Sequence, residues 1–124
     1  MLEAYSLNVD VAANTAIPFK NVTLDKGCSA KLSGDSTIQL NECGVYEVSV
    51  DVSSEAAVTI QLFKNGVAQP QAQSTGASAA FKTLVQVPHN NNCCPCSSPT
   101  IIQVLNTGTA QATLTNANIT VLKK

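Results

Sequence analysis

Apolar residues recur at every second position of this chain, and that spacing leaves little choice about how it folds. Tyr5, Leu7, Val9 and Val11 alternate with Ser6, Asn8 and Asp10. Tyr46, Val48, Val50 and Val52 alternate with Glu47, Ser49 and Asp51, and Ala56, Val58, Ile60 and Leu62 alternate with Ala57, Thr59 and Gln61. Neighbouring side chains of a strand point to opposite faces, so each run turns one apolar face to a core and the other outward. Residues 17–24, 37–40, 67–73, 81–87, 100–106, 109–115 and 117–122 are further strand candidates, dominated by the Thr, Val and Ile that a pleated surface favours. No window carries a stripe of period 3.6, so helix content is expected to be close to zero. No internal repeat is visible.

The turn residues agree. Asn65-Gly66 stands between two alternating runs, and both positions of a tight hairpin turn need positive φ, which Asn and Gly tolerate. Asn106-Thr107-Gly108 reads as a second hairpin with a slightly longer loop, and Lys26-Gly27, Ser33-Gly34-Asp35 and Cys43-Gly44 mark further turns. Residues 69–80 are polar and read either as a long hairpin end or as a connection between sheets. Residues 88–99, PHNNNCCPCSSP, form an irregular loop with three prolines. Eight or more short strands without helices point to an antiparallel sandwich or jelly roll filling one domain, residues 1–124.

Composition removes several function classes. Seven basic residues face eight acidic ones, a net charge of -1, whereas a nucleic-acid binder needs a basic surface to displace counterions. The same balance argues against a polybasic membrane anchor, and no apolar run reaches the length that spans a bilayer as a helix. The first residues lack the basic start and apolar stretch of a secretion signal, so the chain is expected to be either a complete small open reading frame or one cleanly excised domain. Aromatic residues are 4% and Trp is absent, so the core is lean. With only 12% charged residues outside it, more apolar area is expected to be buried between subunits.

Several segments, in order, resemble a known family. Gly44-Val45-Tyr46-Glu47-Val48-Ser49-Val50 is similar to the G-x-Y-x-V strand of the tumour-necrosis-factor and complement-type jelly rolls, and residues 58–66 resemble their later strand ending in an N-G turn. Pro18-Phe19, the N-G-V-x-x-P hairpin from Asn65 to Pro70 and the closing Ile119 to Val121 strand resemble the bacterial branch, which includes the carboxy-terminal domains of collagen-like exosporium glycoproteins. The resemblance covers residues 16–122. It implies an all-β antiparallel jelly-roll sandwich of eight to ten strands that forms a tight homotrimer with its inner sheet toward the threefold axis. Tyr46 matches the motif tyrosine, and with Val48, Val50 and Phe81 it is assigned to the core or the trimer interface. A second apolar face is expected to make the threefold contact.

Catalytic arrangements are poor. The single His, His89, lies in the proline-rich loop, and no Asp or Glu follows Glu55, so a serine triad is not spelled out. Most of Asp10, Asp25, Asp35, Glu42, Glu47, Asp51 and Glu55 fall in turns or at solvent-facing strand positions, where they read as solvated charge rather than as a carboxylate pair. No phosphate-cradling loop is present, and neither an enzymatic activity nor a cofactor is expected.

The five cysteines leave three states open. His89, Cys93, Cys94 and Cys96 offer four soft zinc ligands, but C-C-x-C lacks the two separated pairs with which a backbone wraps a tetrahedral metal, so no metal is assigned. Cys28, Cys43, Cys93, Cys94 and Cys96 are all disulfide candidates, for example Cys28 or Cys43 with the loop, and free thiols are the default in a reducing compartment. Three chains of five carry an odd total, so a closed trimer leaves at least one cysteine reduced, metal-bound or cross-linked outward. Asn21-Val22-Thr23 and Asn118-Ile119-Thr120 match the glycosylation triplet, which a chain rich in Thr and Asn produces by chance. Sugar stacking lacks a Trp.

The resemblance therefore leads to a non-enzymatic structural protein on a particle surface. A phage virion component (capsid decoration, head fibre or tail part) comes first and a spore-surface or exosporium coat second. A receptor- or carbohydrate-binding module comes third. The expected partners are the chain itself, as a homotrimer, and a larger capsid or spore coat, with no nucleic acid and no membrane.

Overall fold

The computed structural model describes residues 1–88 and 100–124. Ten strands run in the order β1 (Leu2–Val11), β2 (Asn21–Asp25), β3 (Ala30–Ser33), β4 (Thr37–Leu40), β5 (Gly44–Ser54), β6 (Val58–Lys64), β7 (Val67–Gly76), β8 (Ala80–Val87), β9 (Thr100–Asn106) and β10 (Ala112–Lys123). They form two five-stranded sheets, β2-β1-β10-β5-β8 and β3-β4-β9-β6-β7, and every pairing is antiparallel. Among the described residues there is no helix. The two sheets press their inner faces together as an antiparallel jelly-roll sandwich, the expected fold class.

The alternation in β5 does what the sequence demands. Tyr46, Val48, Val50 and Val52 are at most 2% exposed and meet Val121, Ile119 and Ala117 of β10 across the ladder. From the other sheet Ile60 and Leu62 of β6, and Ile102 and Val104 of β9, close the core with no exposure at all. Gly44 opens β5 at φ +140°, and a Cβ there would stand 3.0 Å from Cε of Lys123, so the strand must start on glycine. Asn65 and Gly66, at φ +51° and +80°, make the tight β6–β7 turn.

Five sequence expectations need correction. The first concerns the phase of β1. The buried residues are Leu2, Ala4 and Ser6, then Val9 and Val11, and Leu7 is 52% exposed. Asn8 takes φ +53°, a left-handed conformation that Asn accepts, and shifts the side-chain phase by one. β10 makes the same shift near Thr115, opposite, where its pairing with β5 changes register. Second, the separate strands expected at 109–115 and 117–122 are one bulged strand, β10, which starts only at Ala112, with 109–111 in the connection before it. Third, residues 17–20 are not in a strand. Pro18 has no N–H to give, and the segment crosses to the second sheet instead, where Ile17 donates to the Val104 carbonyl (2.7 Å) and Phe19 to that of Asp35 (2.5 Å). Ser6, buried in the core, fastens this crossing by donating to the Pro18 carbonyl (2.7 Å) and accepting from the Lys20 amide (2.8 Å). Fourth, residues 106–108 are no hairpin, since β9 and β10 belong to different sheets. Fifth, β3 is a strand that the pattern did not reveal. The polar stretch 69–80 resolves as most of β7 followed by a crossing to β8 in the other sheet.

Candidate functional site

The residues assigned to core or interface lie inside the protomer. Tyr46, Val48 and Val50 are 0%, 0% and 1% exposed, and Phe81 packs half-buried against the same core. The Tyr46 hydroxyl donates to the carbonyls of Glu42 (2.8 Å) and Ser29 (3.2 Å) and accepts from the Glu42 amide (3.2 Å). It thereby ties the β4–β5 turn to the start of β3, and burial pushes the phenol pKa up.

Cys43, 7% exposed, is disulfide-bonded. Cys28 is exposed and keeps a free thiol, so of the two turn cysteines it is not the paired one. His89, Cys93, Cys94 and Cys96 lie outside the described residues. Among the described residues no cluster of metal-ligating side chains forms.

The outer face of the first sheet holds the chain's most organised surface chemistry. Side chains of β1, β10, β5 and β8 stand in register rows across it. One row is Glu3, Thr120, Ser49, Lys82; the next is Tyr5, Asn118, Asp51, Ala80; on the other side lie Leu122, Glu47 and Leu84. The centre is polar, with Asn118 donating to Asn116 and Thr120 and Ser49 beside them. A broad second apolar face, expected from the lean core, is therefore not found here. The apolar residues stand at the two sides, with Leu7 52% and Leu84 60% exposed. The outer face of the second sheet intersperses half-buried Phe63, Ile101 and Leu105 with Gln39, Gln61 and Gln103.

Glu47 anchors an ion-pair triad on this face, 2.6 Å from Lys82 and 2.9 Å from Lys124. The two ammonium groups, Lys82 first, hold its carboxyl at about 2 instead of 4.5. A depressed carboxylate pKa stabilises the fold fully above its unfolded value, and that stability is lost as pH falls through the folded one. Stability is thus expected to decline between pH 4.5 and about 2 with a contribution that Glu47→Gln removes. Thermal midpoints measured across that range for both chains check this, and identical acid limbs would show that the triad contributes nothing.

Asn106, missed by sequence reasoning, is 1% exposed at the end of β9. Its amide donates to the carbonyls of Val11 (3.0 Å) and Ala110 (3.1 Å), and its oxygen accepts from the Gly108 amide (3.0 Å). It is the brace of a cleft at one end of the sandwich, where the β5–β6 and β9–β10 connections meet, lined by Ser54, Glu55, Thr59, Gly108, Thr109 and Gln111 among others. The only signal in the sequence was the turn triplet itself. Glu55 is the one ionisable side chain in the lining, so the cleft offers hydroxyls, amides and a carboxylate but no acid–base pair.

Comparison with solved structures now decides the architecture. The Eiger TNF of S. frugiperda superposes with a TM-score of 0.75 over 99% of this chain and 92% of its own, at 12% identity. The fold is a C1q/TNF-like jelly roll. The globular domain of zebrafish complement 1qA superposes at TM-score 0.69 over 96% of this chain and 94% of its own, with 8% identity. Murine APRIL does so at 0.65 over 98% of each chain, with 12% identity. At such identities the jelly roll itself is what is shared. No family model and no curated protein matches the sequence.

Proposed function

We propose that this C1q/TNF-like jelly roll is a non-catalytic homotrimeric structural protein of a particle surface, first of all a phage virion component. The observation that carries the reading is the outer face of the first sheet. Glu3 and Leu7 stand at one side and Lys82 and Leu84 at the other, unlike charges and apolar side chains that a neighbouring copy would cover. The low charge, the Gln-, Ser- and Thr-rich outer strands and the lack of an acid–base pair in the cleft suit a part whose work is packing. A virion surface agrees with the sequence's resemblance to the bacterial branch of the fold, and a spore coat is the alternative location.

Native mass spectrometry or sedimentation at micromolar concentration is expected to show about three chains per particle, and a stable monomer would overturn the trimer. Antibody labelling of purified virions by electron microscopy is expected to decorate their surface. Labelling of the spore coat instead would move the protein there, with the trimer unaffected. The braced cleft favours the second reading, a ligand-binding module; titration with monosaccharides followed by amide shifts at Gly108 and Thr109 would reveal it.

A further inference from the structure

We infer that the cleft braced by Asn106 binds a small organic cation, an aliphatic chain ending in a guanidinium or ammonium group, with Glu55 as its counter-ion. This rests on the ligand-binding reading of the cleft and deepens it by naming the chemistry of the ligand; it does not depend on the number of chains in the particle.

The cleft holds about 400 Å³, the size of a small-molecule site. Most of its polar lining is already engaged. The Ser54 hydroxyl donates to the Ala56 carbonyl, that of Thr59 bonds to Thr75 (2.9 Å), and that of Thr113 donates to the Asp10 carboxylate (2.8 Å). Both amide donors of Asn106 and its oxygen are taken by the backbone. A neutral sugar is recognised through several free directional partners, and three of the four lining hydroxyls are engaged elsewhere. The Glu55 carboxylate is different. Among the described residues no cation lies within ion-pair reach of it, and its backbone is held in place by its amide on the Thr113 carbonyl (3.3 Å). Around it Ala56, Ala57 and Ala110 contribute methyl groups, a wall suited to the methylenes of a slender chain rather than to a ring.

The charge distribution along the sandwich points the same way. The cleft lies where β5 and β9 end and β6 and β10 begin. The described residues include all seven lysines, and none lines the cleft. Lys64 ends β6, Lys123 and Lys124 close the chain after β10, Lys26 bonds to Met1 ahead of β1, and Lys31 stands in the row of Ile101 at the start of β9, all at the opposite end. Lys20 and Lys82 sit at mid-strand levels, beside Ser6 and opposite Ser49. The cleft end carries Glu55 and, behind Thr113, Asp10. A concave site with carboxylates and no cation of its own concentrates positive ligands.

Amide-resolved titration of the full chain tests this. n-Butylguanidinium is expected to shift Gly108, Thr109 and Gln111 and to saturate. n-Butylurea, of similar shape without the charge, is expected to bind about tenfold more weakly or worse. Glu55→Gln keeps the side chain's size and is expected to weaken n-butylguanidinium about tenfold. Asp25→Asn, at the opposite end beside Leu2, is expected to leave it unchanged. Ala57→Leu, which fills the cleft at an exposed position, is expected to abolish the shifts while the far-UV spectrum stays the same. N-acetyl-arginine methylamide carries the same group on a peptide unit: tighter binding than n-butylguanidinium assigns the site to a partner's arginine, weaker binding to a free metabolite, and both support the cation site. Equal affinity for n-butylurea and n-butylguanidinium, or no effect of Glu55→Gln, would overturn it. If a monosaccharide shifts these amides and n-butylguanidinium does not, the cation assignment is wrong while the cleft remains a ligand site. If no compound shifts them, the ligand-binding reading falls as well.

Discussion

Tyr46→Ala unfolds at a free energy about 3–5 kcal/mol lower than the parent chain. The ring has no exposure and is the largest fully buried side chain among the described residues, so truncation opens a cavity between the two close-packed sheets. The hydroxyl adds a separate effect. Without it the Glu42 and Ser29 carbonyls lose a donor and the β4–β5 turn loses its tie to β3. Tyr46→Phe isolates that part at about 1–3 kcal/mol. Equilibrium urea unfolding of the two variants separates cavity from hydrogen bond. A loss under about 0.5 kcal/mol for Tyr46→Ala would contradict the buried placement.

Asn106→Leu is the second large expected effect, about 2–4 kcal/mol. The substitution keeps the branching and the number of side-chain heavy atoms and adds apolar surface, so a purely hydrophobic account expects no loss. The loss arises because the buried Val11 carbonyl is left without its partner inside the sandwich, and the Ala110 carbonyl and Gly108 amide at the cleft lose the side chain that holds their turn. Hydrogen exchange gives a local readout: the Gly108 amide is expected to exchange faster in the variant. Unchanged protection there, with unchanged stability, would show that the cleft does not depend on Asn106.

How far the sequence could be read follows from the same physics. β5 was legible because its alternation runs unbroken from Tyr46 to Val52 and both its neighbours accept it. β1 was misphased because a bulge at Asn8 changes which residues face inward without changing the alternation that the eye follows. The 17–20 crossing looked like a strand because Ile17 and Phe19 are buried in alternation, yet their amides bond to Val104 and Asp35 rather than to a ladder. β3 has four residues at a sheet edge, too few for a period to show. The surface site was less legible than the fold. The Glu47–Lys82–Lys124 triad joins residues from three separate strands or ends, and only the register of β5 with β8 and β10 brings them together. The cysteines, prominent in composition, left their pairing open, since spacing along a chain does not set distances across a turn.

β10 is translated after every other strand, yet it occupies the middle of the first sheet between β1 and β5. Until it emerges from the ribosome, β1 has no partner on that side and β5 only β8. The nascent chain can assemble hairpins such as β6–β7 early, but the sheet that carries the outer surface closes only once β10 is made. The decisive step of folding is therefore expected to wait for β10, with the β1 and β5 edges exposed to mispairing until its 12 residues arrive.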